Sequence, residues 1–385
     1  MIPYGSQDVC DEDIEAVVQT LRSDWLTQGP AVENFERAVG GYCGSDHAVA
    51  MNSATSALHL ACKALALGPG DSMWTSPNTF VASANAALHC GATVDFVDID
   101  ERTYNMSVAA LASKLEKAKG AGTLPKVVMP VHCTGQSCDM KEIGDLAKEY
   151  GFAVVEDASH AIGGRYLGGR IGNCAYSAIT VFSFHPVKIV TTGEGGMAVT
   201  NNPELAERLR LLRSHGITRD TKRMVGQSHG PWYYEQIDLG FNFRMTDIQA
   251  ALGTSQMKRI DGFLRARHAI AERYNQALRE LPLILPWQNP SAQSAYHLYP
   301  IQIDPAKTAK TREQIFGELR NGGIGVNVHY IPVHTQPYYR AQAPLGRTLP
   351  VAERYYARTI SLPLFPALDE ERQQRVINVL TKAFH

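Results

Sequence analysis

The residue best suited to covalent chemistry is Lys188, which lies in the run AITVFSFHPVKIVTTGEGG from Ala178 to Gly196. Residues 178–184 are apolar and rich in β-branched and aromatic side chains, so they predict a buried strand that ends before Pro186. A second apolar run, 197–200, follows the glycines, and we expect the lysine amine to lie between two buried strands. Loss of hydration lowers the pKa of an amine, and a neutral amine can form a Schiff base with an aldehyde. A lysine whose amine extends into water is the alternative for this residue alone.

Asp157 lies where another predicted strand ends, in FAVVEDASHA. The carboxyl ends of parallel strands form the ligand-binding edge of a sheet, so this carboxylate and Lys188 can reach one ligand. In pyridoxal phosphate (PLP) enzymes an aspartate pairs with the pyridine nitrogen, while a lysine holds the aldehyde. Taken alone, Asp157 could equally cap a turn, and His160 could be an ordinary core or surface imidazole.

The helix start NSATSALHLACKAL, at residues 52–65, follows the first predicted strand and suits a phosphate. Small hydroxyl residues there leave amide hydrogens open beside the positive end of the helix dipole. Thr55 and Ser56 can add hydroxyl donors, and Ser183, just before the lysine, can donate to the same phosphate. A simple helix N-cap explains the helix start equally well when it is considered alone.

Phe80, in SPNTFVASAN, follows the second predicted strand, where an aromatic face could stack on a cofactor ring or pack in the core. The sequence contains no G-x-x-x-x-G-K-[ST] loop and no G-x-G-x-x-G between a strand and a helix, so nucleoside triphosphate and nicotinamide sites lose their usual support. The chain order of helix start, aromatic residue, strand-end aspartate and turn lysine matches the needs of PLP.

Seven apolar runs predict the strands that must position these residues, at 48–51, 71–75, 93–99, 126–131, 152–156, 178–184 and 197–200. Helical patterns near 53–67, 79–90, 107–118 and 139–150 separate most of them, which predicts an α/β fold with a mostly parallel sheet covered on both faces. The last two strands are joined by the lysine turn without a helix, so one of them can run antiparallel.

The pattern changes after about residue 203. Helices are predicted at 203–214, 246–260 and 264–280, followed by strands at 296–303 and 325–330 and helices at 311–321 and 368–384. We therefore predict a large cofactor-binding domain with an N-terminal arm over residues 1–250 and a smaller C-terminal α/β domain over residues 251–385.

The composition is that of an ordinary globular chain, with 44% hydrophobic residues and a formal net charge of −1. Neither a strong basic patch nor a long apolar segment is present, so we expect no nucleic-acid partner, no membrane partner and a cytoplasmic location. The seven cysteines show no paired framework, and the cluster of His132, Cys133 and Cys138 lacks the C-x-x-C spacing of zinc sites. We expect no bound metal.

The motifs NSATSALHL, EDASHA, SFHPVKIVTTGEGG, GFNFRMTDIQAALG and VNVHYIPVH together resemble the DegT/DnrJ/EryC1/StrS family of sugar aminotransferases. The resemblance extends over nearly the whole chain. It implies fold type I of the PLP-dependent aminotransferases, with a mixed, mostly parallel seven-stranded sheet in the large domain.

The resemblance also implies roles for individual residues. Lys188 would bond the PLP aldehyde, and Asp157 would pair with its ring nitrogen. The other implied cofactor-binding residues are Thr55, Ser56, Phe80, His160, Ser183, Asn242 and Arg244, and the last two would reach a neighbouring subunit's site in a homodimer with shared active sites. The implied substrate-binding residues are Tyr4, Trp25, Leu26, Thr27, Asn327, Val328, His329, Tyr330 and Tyr338.

Within the family, SDWLTQGP, SPNTFVASANAAL, GATVDFVDID and GPWYYEQ resemble enzymes that aminate a UDP-4-keto-6-deoxy-N-acetyl-hexosamine at carbon 4 for pseudaminic acid-type glycans. L-Glutamate is the expected amino donor. A dTDP-linked keto-sugar, a PLP-dependent dehydratase and a non-catalytic PLP sensor are the alternatives, although the family's dehydratases have histidine where this chain has Lys188. Arginines 340, 347, 354 and 358 are equal candidates for binding the donor carboxylate.

Overall fold

The computed structural model of the chain describes residues 1–342 and 348–384. The α-helices in this part of the chain are α1 (Asp11–Leu21), α2 (Pro30–Cys43), α3 (Ala54–Ala64), α4 (Val81–His89), α5 (Val108–Ala121), α6 (Met140–Tyr150), α7 (Pro203–Arg213), α8 (Asp247–Met257), α9 (Ile260–Leu278), α10 (Arg312–Asn321), α11 (Pro337–Arg340), α12 (Pro350–Arg358) and α13 (Glu370–Ala383).

The strands are β1 (His47–Met51), β2 (Ser72–Thr75), β3 (Thr93–Phe96), β4 (Val127–Met129), β5 (Ala153–Asp157), β6 (Arg165–Tyr166), β7 (Gly169–Arg170), β8 (Ile179–Ser183), β9 (Gly196–Thr200), β10 (Ile217–Thr218), β11 (Glu235–Gln236), β12 (Leu283–Ile284), β13 (Ala292–Gln293), β14 (Tyr299–Ile303) and β15 (Thr359–Leu362).

The main sheet contains seven strands in the order β1-β9-β8-β5-β4-β2-β3. Six of them are parallel, and β9 is antiparallel to both of its neighbours. The predicted α/β fold, with its seven strands and one antiparallel strand after the lysine turn, is confirmed. The central strands are apolar on both faces because helices cover both sides of the sheet.

A second sheet, β12-β14-β15, packs with α10 and α13 in the C-terminal part of the chain. Helix α9 joins the two cores: Ile260 and Phe263 pack with the main sheet, whereas Tyr274 and Leu278 pack with the C-terminal sheet. The division into domains at residues 250 and 251 stays a prediction.

The predicted strand at 325–330 is wrong. This segment makes only isolated bridges, from Asn327 to Ser361 and, just before it, from Ile324 to Ile2. In the C-terminal sheet β14 pairs with β12 and β15, and the sequence pattern indicated neither of these two strands. Among the described residues, no helix combines the length and apolar character needed to cross a membrane.

Candidate active site

The carboxyl ends of β5 and β8 and the start of α3 open onto one cavity of about 600 Å3. This is the sheet edge at which parallel α/β folds bind their ligands. The predicted site residues that line the cavity are Tyr4, Thr55, Phe80, Asp157, His160, Ser183, Lys188, Asn327, Val328, His329 and Tyr330.

Lys188 lies on the turn that joins β8 to β9 and contributes its amine to the cavity. The turn is fixed by backbone hydrogen bonds, from the Lys188 amide to the His185 carbonyl (2.9 Å) and from the Thr192 amide to the Phe184 carbonyl (3.0 Å). Burial lowers the pKa of the Lys188 amine to about 8, although the nearby Asp157 carboxylate acts to raise it. About a tenth of the amine is therefore neutral, and nucleophilic, at pH 7, and about half at pH 8.

Asp157 ends β5 with a carboxylate that is 4% exposed and held from two sides. Its Oδ2 accepts a hydrogen bond from the Ser83 hydroxyl of α4 (2.6 Å), and the Ser83 hydroxyl also contacts Thr79 (2.7 Å). Its Oδ1 accepts from the Ser159 hydroxyl (2.6 Å) and amide (3.1 Å). These donors fix the direction of the carboxylate, which suits a pairing with a ring nitrogen.

The start of α3 offers open amide hydrogens at the cavity. Ser53 caps the helix by accepting from the Ser56 amide (3.1 Å), and the amides of Ala54 and Thr55 donate to no described residue. The helix can approach β9 closely because Gly196 has no side chain, since a Cβ there would overlap the Ser53 backbone. The arrangement suits an anionic group such as a phosphate.

Ser56 is placed differently from the residues that line the cavity. Its hydroxyl donates to the Asn52 amide oxygen (2.7 Å) and contacts the Ser53 hydroxyl (3.0 Å), and it does not line the cavity. Ser53 and Thr55 line it instead. Ser56 therefore shapes the helix start, and its predicted direct role toward the phosphate stays a prediction.

Phe80 and His160 lie on the same cavity. Phe80 is 60% exposed, so a face of its ring is free to stack on a ligand. His160 is buried, and its Nε2 lies 3.0 Å from the Tyr330 hydroxyl. Burial lowers the pKa of His160 well below its ordinary value, and the charge of Lys188 acts in the same direction.

The remaining wall is built from the N-terminal arm and the segment 327–330. Pairing of Ile2 with Ile324 brings Tyr4 to the cavity, where its ring lies 5.4 Å from that of His329. The His329 Nδ1 lies 2.8 Å from the Ser361 hydroxyl of β15, which anchors the imidazole to the C-terminal sheet. The wall thus joins residues from both ends of the chain.

Several predicted site residues do not line the cavity of this chain: Trp25, Leu26, Thr27, Asn242, Arg244 and Tyr338. The loop 25–27 lies against the start of α8, because Thr27 bridges Thr246 and the Asp247 amide donates to the Leu26 carbonyl (3.0 Å), and Asn242 and Arg244 lie in the segment that leads to this helix. The side chains of Trp25, Leu26, Thr27 and Asn242 are exposed there, and Arg244 is half-buried. Tyr338 lies apart, exposed on α11.

The candidate arginines for a donor carboxylate remain undecided. Arg340, Arg354 and Arg358 lie on α11 and α12 and do not line the cavity, and Arg347 lies outside the described residues. Among the described residues, Lys188 is the one lysine or arginine that lines the cavity.

Sequence reasoning missed four cavity residues of interest: Ser83, Ser159, Glu194 and His297. Ser159 had a readable signal, because a serine two positions after an aspartate is typical of a turn in which the carboxylate accepts from the chain. Ser83 and His297 had none, since their positions depend on the packing of α4 on β5 and of α9 on the turn before β14.

Comparison with known proteins agrees with this geometry. A model of the DegT/DnrJ/EryC1/StrS aminotransferase family matches residues 7–381. The spore coat polysaccharide biosynthesis protein SpsC of Bacillus subtilis is 42% identical over 98% of this chain and 96% of its own length. The UDP-4-amino-4,6-dideoxy-N-acetyl-beta-L-altrosamine transaminase of Campylobacter jejuni is 39% identical over 94% of this chain and 92% of its own length.

Solved structures give the same picture. Helicobacter pylori PseC, an aminotransferase involved in the biosynthesis of pseudoaminic acid, superposes with a TM-score of 0.89 at 32% identity over 100% of this chain and 99% of its own. Spr1654 of Streptococcus pneumoniae, solved in a PMP form, has a TM-score of 0.88 at 30% identity over 100% of this chain and 99% of its own. Spr1654 has also been solved in a PLP form.

Proposed function

The chain belongs to the DegT/DnrJ/EryC1/StrS aminotransferase family and is a PLP-dependent sugar aminotransferase, and on this premise we propose its substrates. It transfers the amino group of L-glutamate to carbon 4 of a UDP-linked 4-keto-6-deoxy-N-acetyl-hexosamine. The product is a UDP-4-amino-4,6-dideoxy sugar for pseudaminic acid-type surface glycans. The proposal rests on one observation above all: the identity of 39% with the Campylobacter jejuni transaminase extends over 94% of this chain.

The residues of the cavity fit PLP. The open amides at the start of α3, with Thr55 and Ser183, would hold the phosphate. The carboxylate of Asp157, fixed by Ser83 and Ser159, would face the ring nitrogen. Phe80 would cover the ring, and the unpartnered Nδ1 of His160 fits a neighbour on the hydroxyl side of the ring, as the sequence predicts.

Lys188 is the residue that moves protons in this reaction. When bound, the cofactor would supply an aldehyde carbon that carries the amino group between the two half-reactions and a ring that withdraws electrons. The free Nζ of Lys188 would take a proton from the donor carbon and give it up again, and it would move the proton in the reverse sense in the sugar half-reaction. A pKa of about 8 suits an amine that both accepts and gives up a proton near neutral pH.

Tyr4, Asn327, Val328, His329 and Tyr330 form the wall that we assign to the sugar nucleotide. They are mostly aromatic or polar, as expected for a site that stacks on a base or ribose and hydrogen-bonds sugar hydroxyls. Exclusion of water by this wall would protect the keto-sugar and strengthen polar contacts to it.

We also propose a homodimer with shared active sites. A phosphate, a diphosphate and a dicarboxylate donor all need cationic partners, yet Lys188 is the one lysine or arginine that lines the described cavity. Arg244 makes no ion pair with any described residue. The surface that carries Arg244, Asn242 and the loop 25–27 would complete the cavity of a neighbouring subunit.

The decisive assay mixes purified protein and PLP with L-glutamate and a panel of UDP- and dTDP-linked 4-keto sugars, and identifies products by mass and NMR. We expect 2-oxoglutarate and a UDP-4-amino sugar in equal amounts, and neither with Lys188→Ala or Lys188→Arg. Preferential amination of a dTDP sugar would reassign the substrate. Consumption of the keto-sugar without glutamate would indicate a dehydratase, and activity in the lysine variants would refute the assigned mechanism.

A further inference from the structure

His297 has no role in the reaction described so far, yet it lies in the active-site wall. It follows Tyr296 in the turn before β14, is 4% exposed and lines the cavity with Lys188. Its ring centroid lies 4.5 Å from that of His160, with an angle of 41° between the planes. The two imidazoles are therefore in direct contact.

The turn that carries His297 is held from two directions. The guanidinium of Arg267 on α9 is 1% exposed, and its Nη1 donates to the carbonyls of Tyr296 (3.2 Å), His297 (3.2 Å) and Leu364 (3.1 Å). On the other side, the Ala295 amide donates to the Gly135 carbonyl (2.8 Å). A buried cation that donates to three carbonyls fixes a backbone strongly, so the position of the His297 ring is set by its surroundings.

His160, in contrast, has few fixed contacts of its own. Its Nε2 is paired with the Tyr330 hydroxyl, the two rings are nearly parallel at 14°, and its Nδ1 has no partner among residues 1–342 and 348–384. One hydrogen bond does not fix the tilt of an imidazole. The contact with His297 supplies a second constraint.

The charge state of His160 depends on the same contact. Burial is the main reason that its pKa is low, and an imidazole that opened to water would regain its ordinary value of about 6.5. The titratable groups around it are Asp157, Lys188, His297, His329 and Tyr330. A protonated His160 could no longer accept a hydrogen bond from Tyr330, and it would place a positive charge beside Lys188.

We propose that His297 is a positioning residue for the transamination: its ring packs on His160, holds the imidazole against Tyr330 and shields it from water. The role in turnover rests on the proposed function, whereas the coupling between the two imidazoles does not. An aromatic ring at position 297 should be sufficient, because the packing face performs the role and the nitrogen atoms do not.

The direct test follows the protonation of His160 by NMR in the PLP-loaded protein with 13C-labelled histidine. Its signal is assigned with His160→Gln. We expect it to stay neutral between about pH 5.5 and 8.5 in the wild type and in His297→Phe, and to titrate near pH 6.5 in His297→Ala. His268→Phe is the matched control: His268 packs edge-on against Tyr296 at 5.0 Å but does not line the cavity, so the His160 signal should not change.

The second readout is the pH profile of kcat/KM for the keto-sugar. His297→Ala should lose activity as the pH falls below about 6.5, while the wild type and His297→Phe keep theirs. If His297→Ala fails to fold, His297→Asn gives the same comparison with a smaller void. A His160 that stays neutral in His297→Ala, or a His297→Phe variant that behaves like His297→Ala, would overturn the inference.

The two proposals fail separately. If the wild type aminates none of the keto-sugars, the proposed function fails, and the NMR comparison of His160 still decides the coupling. If amination is observed but neither the NMR titration nor the pH profile changes in His297→Ala, only the role of His297 is refuted.

Discussion

The chemistry of individual residues depends here on where water is excluded. Lys188 is only partly exposed, and its reduced hydration outweighs the attraction of Asp157, so its pKa falls to about 8. The carboxylate of Asp157 is only 4% exposed, but several donors compensate for its lost hydration. Burial therefore lowers the pKa of the Lys188 amine, whereas the Asp157 carboxylate is held by hydrogen-bond donors.

The pKa of Lys188 predicts how the rate of PLP binding to the cofactor-free protein depends on pH. Only the neutral amine attacks an aldehyde, so the rate constant should rise about tenfold per pH unit below pH 8 and level off above it. Stopped-flow absorbance measures this directly. Asp157→Asn removes the charge that raises the pKa, so its midpoint should lie lower. A wild-type midpoint near 10.5, the ordinary value for lysine, would contradict the prediction.

The two serines around Asp157 predict unequal effects on stability. Ser83→Ala leaves the buried Oδ2 without its donor and should reduce the free energy of unfolding by about 1–3 kcal/mol. Ser159→Ala should cost less, because the amide of residue 159 still donates to Oδ1. Urea unfolding of the PLP-free proteins measures both. Equal losses, or a larger loss in Ser159→Ala, would show that the Ser83 hydroxyl is not the main support of this carboxylate.

The structural elements show which parts of the fold the sequence could predict. All seven strands of the main sheet were predictable, because strands buried on both faces appear as uninterrupted apolar runs between helices. The segment 325–330 has a similar composition, but the residues that pair with it and with Ile324 are distant in sequence. They are Ile2, near the opposite end of the chain, and Ser361 of β15. Strand pairing that distant segments decide leaves no local signal.

The same reasoning applies to the site. Lys188, Asp157 and the start of α3 were predictable because each follows a strand directly, and the strand ends meet at one edge of the sheet. His297 was not, because its position is set by Arg267 on α9 and by Gly135 in the loop after β4. Neither residue carries a pattern that points to the cavity.

Gly135 gives a test of this tertiary constraint. Its φ is +109°, and a Cβ would lie 3.0 Å from the backbone of His160, Tyr296 and His297. Gly135→Ala should therefore reduce the free energy of unfolding by about 1–3 kcal/mol and weaken PLP binding, because the turn of His297 is pushed away. Chemical unfolding and fluorescence titration with PLP measure the two effects.

Gly151→Ala is the control for backbone strain alone. Gly151 ends α6 with a φ of +76°, and an added Cβ there meets nothing within 4 Å. This variant should lose stability but bind PLP as the wild type does. If Gly135→Ala also bound PLP normally, the junction of Gly135 with the His160 and His297 segments would have no role in shaping the cofactor site.

At the scale of the whole molecule, the proposed homodimer depends on the surface that carries Asn242 and Arg244. The segment 241–244 is rigidly mounted, since the Asn52 amide donates to the Phe243 carbonyl (2.9 Å) and the Phe241 amide donates to the Leu212 carbonyl (2.7 Å). The backbone on either side of Asn242 and Arg244 is thereby fixed. A fixed surface with a guanidinium that makes no ion pair within residues 1–342 and 348–384 is suited to the proposed role of completing a site on a second subunit.

Shared sites predict that two inactive variants restore activity when they are combined. Lys188→Ala and Arg244→Ala should each be inactive or nearly so as homodimers. A heterodimer contains one site with both the intact lysine and the intact arginine, so random pairing should restore about a quarter of the wild-type sites. Co-expression with two affinity tags, followed by the glutamate and keto-sugar assay, measures the recovery.

The matched control combines Lys188→Ala with Asp157→Asn. Both residues line the cavity of one chain, so every site in that heterodimer lacks one of them and no activity should return. Recovery in the first pair but not in the second would place Arg244 opposite the cavity of its partner. If neither pair recovered although heterodimers had formed, Arg244 would act within its own subunit or have no part in the site, and the cations required by the substrates would have to come from elsewhere in the chain.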